Sequence, residues 1–341
     1  MNKFFHFNLD IYMNLNDPID ITAVNTAVKA HSKDIISVEH QGADAMLRHM
    51  TPLTGITDSY TFTEAYFKSV SSKYTGEFKK QGNIGSFGKR TLTVHPCVIE
   101  VLDEPERYRR TYITEVRGAM KIAKHPFEVW LVNHILQQAS EDLLPAIWNA
   151  KYDASDEKTA LADSFDGLGT IIKTAKTDGE IAEGKGNVVS TGKFTRADIG
   201  TQLLSMWRHM PERFRMMKSK MYIPFAMGDL YDDWFADEHP NVHSPKQSPD
   251  ETGQQFLYGT NGKVELVRCS GMPEDSSFAM LTLQQNVAYG MDKPSDMRTL
   301  KAVPADYKFK ALGKYVFGTQ IATLRSELFC TNDQNVNPLD V

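Results

Sequence analysis

Apolar positions along this 341-residue chain change period several times, and each change marks a predicted element. The sharpest signal runs from Pro126 to Ala150. There Phe127, Trp130, Leu131, Ile135, Leu136, Ala139, Leu143, Leu144 and Ile147 recur at steps of three and four residues, which predicts an amphipathic helix. Pro126 suits a first helical turn, Glu128 complements the positive end of the helix dipole, and Pro145 is expected to kink the helix. At about 1.5 Å per residue the run would span roughly 36 Å, long enough for a structural spine.

Upstream the period shortens. Tyr60, Thr61, Phe62 and Thr63 read as extended chain, and Phe67, Val70 and Tyr74 continue a mixed pattern. Gly82, Gly85 and Gly88 follow, flanked by Lys79, Lys80, Lys89 and Arg90. Leu92, Val94, Cys97, Val98 and Val101 then alternate with Thr91, Thr93, His95 and Glu100, with Pro96 marking an edge or a bulge. Two extended arms joined at a glycine-rich, basic tip predict a long hairpin over residues 59–104. A tip with so little apolar content needs a partner surface or is floppy, and on the first reading Lys79, Lys80, Phe87, Lys89 and Arg90 are the candidate intersubunit contacts. Residues 1–58 are expected to form an arm with two short helices, 21–28 and 38–50.

Downstream, residues 151–193 are polar around one apolar island, Phe165-Asp166-Gly167-Leu168-Gly169-Thr170-Ile171-Ile172. Thr195 is expected to cap a helix carrying Ile199, Leu203, Leu204 and Trp207. Residues 221–224 predict a buried strand and 229–236 a short helix, followed by a polar loop over 239–254. Strands are predicted at 263–267 and 278–282, around the turn at Gly271–Asp275. Further strands follow at 307–309, 315–321 and 327–330. No internal repeat is present.

Composition narrows the function. The chain is 41% hydrophobic and 24% charged, as in ordinary globular proteins, and its length suggests two lobes. No apolar run is long enough to cross a bilayer, and the opening aromatic stretch is too short for a signal-peptide core. The three cysteines are far apart, which argues against a disulfide framework or a zinc site. A net charge of -5 argues against a protein that grips phosphates or reads a nucleic-acid sequence. A container for nucleic acid is compatible with it.

Local motifs for chemistry are weak. Gly82–Arg90 lacks phosphate-loop spacing, because Asn83 stands where a glycine is needed and Arg90 where Ser or Thr would hold magnesium. Asp232, Asp233, Asp237, Glu238, His239 and His243 are the densest group of metal-ligand types, but they lack an HExxH pattern and read as a solvated acidic loop. His134 reads as a core histidine on the spine helix. Cys97 beside His95 gives no oriented triad. Met206, Trp207, Met210, Phe214, Met216 and Met217 read as packing, and Arg208, Arg213, Arg215, Lys218 and Lys220 as a solvated or intersubunit basic patch. No cofactor and no bound metal is expected.

The order of elements resembles the major capsid proteins of tailed bacteriophages, an α+β fold shared with herpesvirus shells and encapsulins. The resemblance rests on the hairpin, the spine helix, the Phe165-Asp166-Gly167-Leu168 element and the returning strands at 315–320 and 327–330. It implies an N-terminal arm (1–58), an extended loop (59–104), a peripheral domain (105–160 and 300–341) and an axial domain (161–299). It also implies a non-enzymatic subunit that forms hexamers and pentamers, meets neighbouring capsomers, and works with scaffolding, portal and decoration proteins. The packaged DNA would be held without sequence recognition, with no membrane partner, in a virion assembled in the host bacterial cytoplasm. A lysine crosslink to a neighbour is a further possibility within that family. An encapsulin shell, a tail or connector protein, and a metal-dependent enzyme using residues 232–243 are the alternatives.

Overall fold

The computed structural model describes residues 43–67, 71, 73, 85–104, 127–155, 160–240, 255–294, 300–305 and 308–338. The expected helix at 21–28, most of the N-terminal arm, and the hairpin tip with Lys79 and Lys80 lie outside the described residues.

In chain order the principal elements are α1 (Asp44–Leu47), β1 (Thr51–Leu53), β2 (Ser59–Phe67), β3 (Gly85–Thr93), β4 (His95–Asp103), α2 (Phe127–Asn149), α3 (Leu168–Thr177), β5 (Val188–Val189), α4 (Ile199–His209), α5 (Glu212–Arg215), β6 (Ser219–Pro224), α6 (Phe225–Glu238), β7 (Gln255–Phe256), β8 (Val264–Cys269), β9 (Met280–Thr282), β10 (Val287–Gly290), β11 (Lys301–Ala305), β12 (Lys308–Ile321) and β13 (Phe329–Asn332). The strands form three sheets. β12, 14 residues long, pairs antiparallel with β10, β11 and β4, and β1 adds parallel to β10. A second, mixed sheet has the order β5-β13-β9-β6-β8-β7, and β2 pairs with β3 alone.

Strand alternation explains the two-sided core of the six-stranded sheet. Side chains of successive strand residues point to opposite faces, and the packing follows that period. Met221, Ile223, Val264, Leu266, Leu281 and Cys330 join Leu203, Met206, Tyr231 and Trp234 from α4 and α6. Tyr222, Val267, Cys269, Met280 and Phe329 face the other way, onto Ile147 and Trp148 of α2 and Leu168 and Ile172 of α3. Trp148 lies 6.3 Å from the ring centres of both Tyr222 and Phe278. Burying a side chain of this size contributes about 2–3 kcal/mol, so this cluster anchors the spine helix to the sheet.

α2 continues through Pro145 to Asn149, and the chain then turns at Phe165-Asp166-Gly167-Leu168 into α3. Phe165 is fully buried and meets Phe317 edge-on at 5.1 Å. The Gly167 N–H and the Thr170 hydroxyl both donate to the carbonyl of Ala150, at 2.8 and 2.7 Å. A Cβ at Gly167 would stand 2.8 Å from the carbonyl oxygens of Ala146 and Trp148. The apolar island is therefore a joint between two helices.

Several expectations need correction. The hairpin exists, but its return strand is Gly85–Thr93, in register from Ser59↔Thr93 to Phe67↔Gly85. Gly85, Phe87, Gly88, Lys89 and Arg90 thus lie along β3 and not at a tip. The alternating run after Thr93 leaves the hairpin and becomes β4, paired with β12. The predicted strands at 263–267 and 278–282 are not hairpin partners, because β6 lies between β8 and β9. Thr195 does not cap α4 with its side chain: the helix begins at Ile199, and the Asp198 carboxylate accepts from the Thr195 N–H at 2.8 Å. The boundary at residue 299 is not the one the sheets draw. β10 belongs with β12, whereas β13 inserts between β5 and β9.

Candidate functional site

Of the five candidate contact residues, Phe87, Lys89 and Arg90 lie among the described residues, all on β3. Phe87 is 69% exposed and Lys89 is exposed opposite Thr63. Thr61 and Thr91 complete the outer face, with hydroxyls 3.3 Å apart. Arg90 points the other way. Its Nη1 donates to Glu180 Oε1 at 2.6 Å and its Nε to the carbonyl of Ile321 at 3.0 Å. Arg90 is therefore committed to its own chain at the hairpin base, which corrects its expected place at an outward tip.

The hairpin sheet has two strands among the described residues, so no third strand of the described chain lies along either outer edge. Such edges accept another strand by main-chain hydrogen bonding. Among the described side chains this face carries the Thr61, Thr63 and Thr91 hydroxyls, the Lys89 ammonium and the Phe87 ring. This arrangement suits docking onto another surface.

The other chemical candidates resolve into structure. Residues 232–238 are not a loop but the end of α6, and the carboxylates of Asp232, Asp233 and Asp237 are paired. Arg268 bonds Asp229 at 2.9 Å and also Asp232, while Arg196 reaches Asp237 at 2.8 Å and Asp233 at 3.2 Å. His239 packs against Tyr258 at 4.4 Å and Phe235 at 5.0 Å between ring centres. His243 lies outside the described residues, and no group of three potential ligands occurs among those described. Cys97 is buried, and burial pushes its thiol up to about 12, so it stays protonated at neutral pH.

His134 is exposed on α2 rather than a core residue, beside a cavity of about 600 Å³ between α2 and β4. Met206, Met210 and Phe214 are buried, whereas Met216 is 75% exposed. The basic patch is not continuous. Lys220 is turned inward, 3.2 Å from Glu265 and 2.7 Å from Nδ1 of His49. No described helix is long and apolar enough to cross a membrane.

Sequence reasoning missed the contacts that hold the hairpin base. Glu64 pairs with Arg325 at 2.8 Å, and Gln320 donates to the Thr91 carbonyl at 2.7 Å. These partners are more than two hundred residues apart in sequence, and no local pattern signals them.

This architecture defines an α+β fold: a spine helix, a two-faced sheet, a long strand returning beside the hairpin, and the hairpin itself. No protein-family model matches the sequence, and no curated protein does. Solved structures do match. A chain of the satellite phage P4 procapsid that includes the size-determination protein aligns over 88% of this chain and 90% of its own, with a TM-score of 0.53 and 10% identity. A chain from the capsid of the native GTA particle aligns over 85% of this chain and 96% of its own, with a TM-score of 0.50 and 10% identity. The chain has the fold of the bacteriophage major capsid proteins.

Proposed function

We propose that the chain is the major capsid protein of a tailed double-stranded DNA bacteriophage, a structural subunit that assembles as hexamers and pentamers into a closed shell. The observation that carries this reading is the two-edged hairpin on a capsid fold. Its outer face and edges have work to do only against another surface, and copies of this chain supply such surfaces in a symmetric assembly. On this reading the six-stranded sheet with α3, α4 and α6 is the axial lobe. The spine helix α2 with β4 and β12 is the peripheral lobe, and Phe87 and Lys89 contact a neighbour. Scaffolding, portal and decoration proteins would be further partners, and the mildly acidic chain would enclose DNA without reading it, in virions assembled in the host cytoplasm.

Negative-stain electron microscopy with light scattering on the purified protein tests the proposal. Closed particles or hexamer-sized rings are expected, and particles recovered from infected cells should protect double-stranded DNA from nuclease. A compact monomer that stays monomeric with crowding agents or scaffold would overturn it. Shells filled with protein cargo in place of DNA would point instead to an encapsulin.

A further inference from the structure

The hairpin is held to the body at two levels that differ in kind. The inner level, residues 90–93, is built into the fold. Leu92 is fully buried with Ile56, Val94 and Ala288 around it, and main-chain carbonyls of Thr91 and Ile321 accept side-chain bonds across the joint. The outer level is electrostatic. Arg325 Nε donates to Glu64 Oε2 at 2.8 Å, and the guanidinium lies 4.9 Å from the centre of the Tyr66 ring.

The geometry presents Arg325 from a fixed turn. Its N–H donates to Thr323 Oγ1 at 3.2 Å, and its carbonyl accepts from the N–H groups of Leu328 and Phe329 at 2.9 and 2.8 Å. On the hairpin, Glu64 stands opposite Gly88, where a Cβ would come within 3.3 Å of Glu64 Oε2. The missing side chain leaves the carboxylate room to reach Arg325.

Either side of this bridge the hairpin and the body part. A cavity of about 380 Å³ opens toward Glu180 and Lys185, and one of about 500 Å³ toward Pro211, Met217 and Leu328. Both clefts open to solvent, so residues 64–66 do not meet the body as closely as a core element does. Ion pairs that remain partly exposed are weak enough for a competing contact to displace.

We propose that Arg325 is a latch: its contacts with Glu64 and Tyr66 set the angle of the strand segments 63–67 and 85–89, which swing about residues 90–93 when the pair is released. The latch is a property of the single chain. Its use, letting one sequence meet neighbours at different angles, rests on the shell reading.

Pulsed electron–electron resonance between spin labels at Ala65→Cys and Asp178→Cys measures the angle in the full chain, diluted with unlabelled protein. The three native cysteines are buried, so labels go to the introduced sites. One narrow distance is expected with the latch intact. Arg325→Gln and Glu64→Gln should each broaden it or add a second distance, and the exchanged pair Glu64→Arg with Arg325→Glu should narrow it again. Single variants that fold and keep the narrow distance would overturn the latch, as would an exchanged pair that folds and stays broad. The readout does not depend on assembly, so the latch and the shell reading stand or fall separately.

Discussion

At the scale of single residues, Gly167 and Gly169 govern the passage from α2 to α3. Added methyl groups there would meet backbone, with Cβ positions 2.8 Å from the Ala146 and Trp148 carbonyl oxygens at Gly167 and 2.7 Å from the Trp148 carbonyl oxygen at Gly169. Backbone cannot rotate aside as a flexible side chain can, so the helices must separate. Gly167→Ala should cost about 1–3 kcal/mol, as overpacking does, and Gly169→Val at least as much. Urea denaturation checks this, with Gly184→Ala as the control, because a Cβ at Gly184 meets nothing within 4 Å. Equal midpoints for Gly167→Ala and the control would refute the close approach.

At the scale of elements, β13 shows how buried polar groups fix a strand in the middle of a sheet. Asn332 is fully buried. Its Nδ2 donates to the Ser277 carbonyl at 2.7 Å and to Thr191 Oγ1 at 3.2 Å, and its Oδ1 accepts from the Ala279 N–H at 3.0 Å. Asn332→Ala leaves these groups dry and unpaired, at a cost of about 1–3 kcal/mol. Calorimetry should show a lower Tm, and Asn332→Asp should not restore it, because a buried carboxylate cannot donate to Ser277. The same element marks the limit of what local pattern conveys. The spine helix was legible because Leu131, Leu136, Leu143 and Ile147 repeat on one face, and each is buried. β6 was legible as an apolar run at 221–224. The register of the hairpin was not: Gly85 and Gly88 read as turn residues, whereas Gly88 serves as space beside Glu64. The neighbours of β9 and β13 were also hidden, since strand order depends on contacts between residues far apart in the chain.

At the scale of the whole molecule, the segment before β1 is tied to the six-stranded sheet by a group that titrates. The His49 ring faces Lys220 at 2.7 Å, Arg48 at 3.1 Å and Glu265 at 3.5 Å, while its carbonyl accepts from the Tyr222 hydroxyl at 2.6 Å. Burial first, then Lys220 and Arg48, lower its pKa from 6.5 to about 4. The unfolded ring takes up its proton near 6.5, so between 6.5 and about 4 the unfolded chain binds more protons than the folded one. Stability should therefore fall as pH falls through that window; above it the ring is neutral in both states and adds no slope. His49→Gln should flatten the dependence of the urea midpoint on pH between 6.5 and 4 relative to the unsubstituted protein. An equal slope in both proteins would remove His49 from the account.

The place of β13 has a further consequence for synthesis on the ribosome. Its four residues separate β5 from β9 in the six-stranded sheet, yet they leave the ribosome long after β5 at Val188–Val189. At about 5–20 residues per second, this gap lasts on the order of ten seconds. Within that interval β6, β8 and β9 emerge in turn, and β9 then shows an open flank until β13 follows. The six-stranded sheet is completed only once β13 has emerged.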